Sequence, residues 1–368
     1  MKKKNILKTS LKIIGIVLGI LILALLAYIV YLYASYYRIE DNQELVVEAP
    51  VDDTTTGAAA VLATDTEYSA VTYNIGFGAY LPDYSFFMDG GTSSWAESPE
   101  TVQYAINGAG ELVKSLDPDF ALIQEIDLDA TRSYHTDEYG MLRNLLPEYT
   151  TVFAQNYDSA FLFYPFTQPH GSSRAGLGLF SKYPVSSALR RSFPISTSFS
   201  KFFDLDRCYS VSRIPVDNGK ELVIFNLHMS AYGNSDEIRK GQIEMLCNDM
   251  AKEYEAGNYV LCGGDFNHDL KASEEDTESC ESWAFPFPRT ELPEHFAFCL
   301  DLLSSEEQAA LWNSARNADM EYVPGVTYTV TLDGFIISDN IECLSYENVN
   351  TGYSYSDHDP VKMEFVLK

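Results

Sequence analysis

Basic residues are scarce in this chain: 25 lysines and arginines stand against 53 aspartates and glutamates, a formal charge of −28. Five of the lysines fall within the first 12 residues, so the rest of the chain carries a formal charge of −33. Such a surface keeps a domain soluble and repels polyanions. It argues against tight nonspecific nucleic-acid binding, which is driven by phosphate neutralisation. The six cysteines include no CxxC spacing, so nothing points to a structural zinc site. Their even number permits disulfides in an exported domain, and Cys280 and Cys299, which flank a loop-like insertion, are the expected pair. A domain of about 300 residues buries a full core without such staples, and Cys262, inside an apolar run, reads as a small core residue. No repeat of fixed period and no second linker interrupts the chain, so one large domain is the economical reading.

Charge is missing altogether from Ile13 to Tyr33. Those 21 residues make a helix of about 31 Å at roughly 1.5 Å per residue, enough to cross a bilayer core of about 30 Å. A secretory signal has a shorter apolar region and small residues at a cleavage site, and neither is evident. The five lysines precede the span, so the positive-inside rule puts residues 1–12 in the cytoplasm and everything after Tyr33 outside. Residues 13–33 are therefore expected to be a transmembrane signal anchor in the cell membrane. Residues 34–66 are acidic and rich in Thr and Ala, without sustained periodicity, and read as a flexible stalk. Residues 67–368 make up the folded domain.

Apolar runs rich in Val, Ile, Phe and Tyr mark buried strands near Ala70–Tyr73, Phe120–Gln124, Gly176–Ser181, Leu222–Leu227, Tyr259–Cys262, Gly334–Ile337 and Lys362–Leu367. Helices are expected over Pro99–Leu116 and Asp236–Glu255. Strands outnumber helices, which favours two packed sheets covered by helices over a simple doubly wound sheet.

Polar residues recur where these runs end: Asn74, Glu125, His228, Asp265, Asn267, Asp333, Asp357 and His358. Their recurrence suggests one site at a single edge of the sheets. An acid such as Glu125 at the inner end of a strand is costly unless its charge is compensated. A magnesium or manganese ion would do so, with the Asn74 amide as a second oxygen ligand. In GDFNHD, Gly263 and Gly264 allow a sharp turn, after which Asp265 can orient an attacking water and Asn267 can donate to a phosphoryl oxygen. In SDHDPV, Pro360 fixes the local backbone, and the His358 imidazole needs a partner to set its tautomer. Asp333 is the candidate for that dyad, with Asp357 facing the metal. His228 can contact the phosphate or protonate the leaving group. Taken singly, Glu125 also reads as a strand-end ion pair, Asn74 and Asp265 as turn formers, and either histidine as structural.

The order YN…QE…NLH…GDFN…D…SDHDPV resembles the endonuclease/exonuclease/phosphatase superfamily, which includes DNase I-like nucleases, apurinic endonucleases, neutral sphingomyelinases and inositol polyphosphate phosphatases. RAGLGLFSKYPV, from Arg174 to Val185, is similar to a strand and turn of that family. The resemblance spans Val71 to Leu367 and implies an α/β, four-layer α-β-β-α sandwich of the DNase I-like type, here preceded by a transmembrane helix. It implies that Asn74, Glu125 and Asp357 bind Mg2+ or Mn2+, that Asp265 and Asn267 handle nucleophile and phosphate, and that Asp333 and His358 form a dyad. His228 would contact the phosphate, as in the DNase I and sphingomyelinase branches.

The resemblance sets the bond broken and leaves the substrate open. Basic residues cluster from Arg174 to Arg213 (Arg174, Lys182, Arg190, Arg191, Lys201, Arg207 and Arg213) as either a solvated surface or one facing substrate or headgroups, and Arg174 is the substrate-binding candidate. Aromatic loops follow Asn74 (Phe77, Tyr80, Tyr84, Phe86, Phe87), start at Phe161, and contain Trp283, Phe285 and Phe287. They form either an apolar rim or plain core. An anchored acidic domain with such loops fits a lipid or another small phosphodiester better than nucleic acid. An extracellular nuclease is the alternative, and an inactive binding module a second one.

Overall fold

The apolar runs assemble into two seven-stranded sheets packed face to face. The computed structural model describes residues 2–52, 61–202, 204–230, 236–273 and 284–368. The chain forms two units, one ending at Arg38 and the other spanning Ile39–Lys368. The first is a helix, α1 (Lys2–Ser35), whose Leu7–Ser35 portion has a mean hydropathy of 3.1 and is long and apolar enough to cross a membrane. It extends past both ends of the uncharged span because Leu7, Leu11 and the Ala34–Ser35 turn continue the helix without a breaker.

The second unit contains β1 (Gln43–Glu44), β2 (Val47–Glu48), β3 (Glu67–Asn74), α2 (Pro99–Leu116), β4 (Phe120–Ala130), α3 (Glu138–Leu145), β5 (Thr150–Asp158), β6 (Ser173–Ser181), β7 (Ser187–Ser192), β8 (Cys208–Pro215), β9 (Glu221–His228), α4 (Asp236–Glu255), β10 (Tyr259–Asp265), β11 (Phe296–Phe298), α5 (Ser305–Ala310), β12 (Ala315–Arg316), β13 (Thr329–Val330), β14 (Asp333–Ser338), β15 (Ile341–Asn348) and β16 (Val361–Leu367). One sheet runs β1-β7-β8-β9-β10-β14-β11 and the other β15-β16-β3-β4-β6-β5-β2. The parallel pairs β3–β4 and β9–β10 lie at the centres, where almost every residue is buried, which is why their sequences are apolar without alternation.

Helices cover the outer faces. α2 starts at Ser98, whose side chain accepts from Thr101 N, and buries Val102, Ile106, Ala109 and Val113 against Tyr73, Ala121 and Ile123. α4 packs Ile243, Leu246 and Met250 on the opposite sheet. The result is a four-layer α-β-β-α sandwich. Between the sheets runs a polar thread: Gln124 Nε2 donates to Asn226 Oδ1 at 2.8 Å, and Asn226 Nδ2 donates to Gly178 O at 3.0 Å. Each buried amide is thereby satisfied, and the thread ties the layers into one register.

The expected stalk needs correction. β1 pairs with β7 and β2 with β5, so residues 43–48 extend both sheets, and Leu62 is buried and bridges Val216. Ile39, Leu45, Val47 and Leu62 supply enough apolar surface to hold this stretch on the domain. Residues 53–60, Cys280 and Trp283 lie outside the described residues, and the expected Cys280–Cys299 bridge with them. Cys299 itself is buried beside Met363.

Candidate active site

Strand order places the polar strand ends together. In one sheet Asp265, at the end of β10, is level with His228 at the end of β9 on one side and with Asp333 at the start of β14 on the other. In the other sheet Asn74 ends β3, Glu125 sits in β4, and Asp357 and His358 precede β16. Glu125 occupies a register shift between Ile123 and Ile126, with φ at +56°. That left-handed conformation costs on the order of 1–3 kcal/mol in a non-glycine residue, and such strain concentrates at functional sites. Two glycines permit close backbone approach. At Gly264 (φ +147°) an added Cβ would lie 2.1 Å from Leu227 O, and at Gly76 (φ +53°) it would lie 2.7 Å from Tyr80 and 3.2 Å from Asp357 Oδ1.

The side chains interlock. Asn74 Nδ2 donates to Glu125 Oε1 at 3.1 Å and to Asp265 Oδ2 at 3.0 Å, while Asn74 Oδ1 accepts from Gly76 N. Asn267 N donates to Asp265 Oδ1 at 2.8 Å, and its Nδ2 donates to Met229 O at 2.9 Å. His358 Nδ1 donates to Asp333 Oδ2 at 2.7 Å, the same oxygen that accepts from Ser314 Oγ. With Nδ1 so engaged, Nε2 of His358 is left facing Asp265 Oδ2 at 3.9 Å. His228 Nε2 lies 3.5 Å from Asp265 Oδ2 and 3.9 Å from Glu125 Oε1, and its buried Nδ1 has no partner. That arrangement selects the Nε2–H tautomer for His228.

Electrostatics divide the two histidines. Burial, with Arg207 and His358 nearby, holds His228 well below the ordinary histidine range, so it is a neutral donor. Burial would also lower His358, but the Asp333 carboxylate, with Asp357 and Asp265 behind it, outweighs burial and holds that imidazole well above the ordinary range. Burial and the neighbouring Asp333 push Asp265 up to about 7. Burial also pushes Asp357 up to about 6.

Glu125, His228, Asp265, Asn267, Asp357 and His358 share the wall of one cavity of about 450 Å³. Asn74 and Asp333 lie behind that wall and act through Glu125, Asp265 and His358. Asp265, Asp333 and His358 also present ligand-type atoms within 4.8 Å of one another. The structure does not bring Arg174 to the cavity: it is half-exposed on β6 and pairs with Asp129 at 2.9 Å. Three arginines that no strand-end pattern marks are there instead, namely Arg132, Arg207 and Arg316. Arg132 is neutralised by both oxygens of Asp127 and stacks over the Phe77 ring at 3.7 Å. Of the first aromatic loop, Phe77, Tyr80, Tyr84 and Phe86 are buried edge to face in the core, and Phe77, Tyr80 and Phe86 also line the cavity. In the second, Phe163, Tyr164 and Phe166 are 50%, 62% and 85% exposed.

The sequence profile of the Endonuclease/Exonuclease/phosphatase family matches residues 71–302. No curated protein matches the chain. Among solved structures, an endonuclease/exonuclease/phosphatase from Bacteroides vulgatus is 17% identical with a TM-score of 0.55, covering 83% of this chain and all of that one. D. rerio TDP2, complexed with single strand DNA product, is 14% identical with a TM-score of 0.54, covering 82% of this chain and 99% of that one. The human nocturnin catalytic domain with bound sulfate anion is 16% identical with a TM-score of 0.52, covering 82% and 95%. At these identities the structural likeness speaks for the fold alone.

Proposed function

Because this chain belongs to the endonuclease/exonuclease/phosphatase family and is a phosphoester hydrolase, we propose that it is a membrane-anchored, divalent-metal-dependent phosphodiesterase acting on a lipid or another small phosphodiester. One observation carries the reading: Glu125, Asp265 and Asp357 face the same cavity as the donors His228, Asn267 and His358. Buried carboxylates in excess of cationic partners are costly, and an oxygen-rich set of this kind fits a hard divalent cation such as Mg2+ or Mn2+. Glu125 and Asp357 would hold it from the cavity wall, while Asn74, expected as a further ligand, turns its Nδ2 to Glu125 Oε1 and Asp265 Oδ2 and would orient those carboxylates. Bound there, the ion supplies positive charge to a phosphoryl oxygen.

The remaining chemistry belongs to the protein groups. Asp265 is anchored through both oxygens by Asn267 N and Asn74 Nδ2, and a carboxyl near neutrality suits accepting a proton from an attacking water. The second amide hydrogen of Asn267 and the Nε2–H of His228 are donors for phosphoryl oxygens. His358, kept cationic by Asp333, supplies charge or a proton through Nε2 as the leaving oxygen departs.

Exposed aromatics support the lipid assignment. Phe163, Tyr164 and Phe166 project from the segment that Leu162 and Gly171 close, and His170 in the same segment lines the cavity. An aromatic edge beside a cavity suits the membrane interface, where amphipathic rings concentrate. The test is hydrolysis by the full chain in detergent micelles, with Mg2+, of sphingomyelin, glycerophospholipids, phosphoinositides, DNA and a phosphodiester dye. Lipid turnover well above DNA turnover is expected. Rapid DNA cleavage without lipid turnover would overturn the lipid assignment in favour of the nuclease.

The leading lysines and the apolar helix α1 support an outward-facing domain. An epitope placed after Lys368 should therefore be stained by antibody on intact cells. Staining that requires permeabilisation would reverse the orientation.

A further inference from the structure

The basic cluster from Arg174 to Arg213 is mostly consumed by the fold. Arg174 pairs with Asp129, Lys182 with Asp117, Arg191 with Asp41 and Asp249, and Arg213 with Glu221 and Glu253. Arg190 is buried and donates to Gln155 O, Glu40 O, Asp206 O and Ser192 Oγ. Lys201 lies over the Phe202 ring. Arg207 is the member of the cluster that lines the cavity.

Its bonding is sparse for an arginine whose residue is only 6% exposed. Nη1 donates to Met229 O at 2.9 Å, and the Asp204 carboxylate stands 3.9 Å from Nε, beyond hydrogen-bond reach. Nε is buried without a partner. A guanidinium has five N–H donors in a planar fork, so most of its capacity is unused in a place where water cannot fully supply it. The Asp204 carboxylate offsets the charge through space at 3.9 Å but takes none of the fork's hydrogen bonds, so those donors remain open to a ligand. The Met229 carbonyl that Arg207 meets also accepts from Asn267 Nδ2, and Met229 follows His228 directly. Arg207, Asn267 and His228 therefore form one donor-bearing wall, facing the carboxylates of Glu125 and Asp357.

Arg316 makes the contrast clear. It is as deeply buried and its Nε is likewise without a partner, but both of its terminal nitrogens are taken by the carbonyls of Asn317, Met320, Tyr80 and Leu81, so it clamps two loops together, whereas Arg207 has a single carbonyl on Nη1. Arg207 has no such set of acceptors.

We propose that Arg207 is a substrate-binding residue, whose open guanidinium edge takes the non-bridging oxygens of a phosphoryl group alongside Asn267 and His228. The assignment rests on the phosphoesterase reading and deepens it. Planar N–H pairs match two phosphate oxygens at once, and such charge-assisted bonds are roughly twice as strong as neutral ones.

The experiment measures two things on the full chain in micelles with Mg2+: calorimetric binding of inorganic phosphate, and kcat and KM for a phosphodiester dye. Arg207→Gln should weaken phosphate binding and raise KM, each by about tenfold to a hundredfold, with the melting temperature kept within a few degrees. Arg207→Lys, which keeps the charge and loses the fork, should fall between the two. Added guanidinium ion should restore part of the phosphate affinity of Arg207→Gln, a rescue that a purely structural role would not give. If Arg207→Gln does not fold, Arg207→Lys alone decides by its phosphate affinity. Wild-type phosphate affinity in the folded variants, with hydrolysis intact, overturns the Arg207 assignment and leaves the phosphoesterase standing. Phosphate binding that depends on Arg207 in a protein that hydrolyses no ester supports the subsite and defeats the hydrolase reading.

Discussion

Replacing His358 with alanine, or Asp333 with asparagine, is expected to lower kcat by roughly 10²–10⁴, the range usual for general acid–base groups. The two residues reach the chemistry through one bond, His358 Nδ1 to Asp333 Oδ2 at 2.7 Å. Asparagine keeps the shape of Asp333 and can still accept that bond, but it removes the charge that holds the imidazole well above the ordinary histidine range. The double variant should lose little more than the worse single one, because residues acting as a unit are not additive. Asp333 is fully buried and also accepts from Ser314, so melting must be followed in parallel. Normal kcat in folded His358→Ala, or losses that multiply in the double variant, would show that the pair does not act together.

Changing Glu125 to glutamine is expected to raise the Mg2+ concentration needed for half-maximal activity by one to two orders of magnitude, roughly the effect of losing one charge-assisted contact. Glutamine retains an acceptor for Asn74 Nδ2, so the strained backbone at this position keeps its local partner. At saturating Mg2+ the variant should recover much of its kcat. An unchanged Mg2+ dependence would remove Glu125 from the metal site, whatever its kcat.

Much of this site is legible in the sequence for a simple reason. Most of these side chains flank an apolar run, and strands that are buried throughout present their first free polar residue at the sheet edge. Glu125, expected at a strand end, instead sits inside β4 at a register shift that its sequence does not mark. Asp265, His228 and Asp333 become neighbours once β9, β10 and β14 pair, and only the pairing order is hidden. Loops are less readable. Phe77, Tyr80, Tyr84 and Phe86 have the composition of an apolar rim, and their packing with α2 residues in the core, with three of them also lining the cavity, is set by tertiary contacts. The segment 43–48 looks like linker because two-residue strands carry no periodicity; their identity comes from the edges of β7 and β5. Arg207 is one of seven basic residues with nothing local to separate it from Arg174. What separates them is partner geometry: Asp129, from a distant part of the chain, meets Arg174 at 2.9 Å, whereas Asp204 stands 3.9 Å from Arg207 Nε and takes none of its hydrogen bonds.

The most direct measurement is hydrolysis of a phosphodiester dye by the full chain after chelation with EDTA and gel filtration, before and after Mg2+ or Mn2+ is restored. No activity is expected in the stripped protein, with recovery on adding either ion and no recovery in Asp265→Asn of equal melting temperature. Full turnover in chelator, or wild-type rates from Asp265→Asn, would contradict metal-dependent hydrolysis through Asp265.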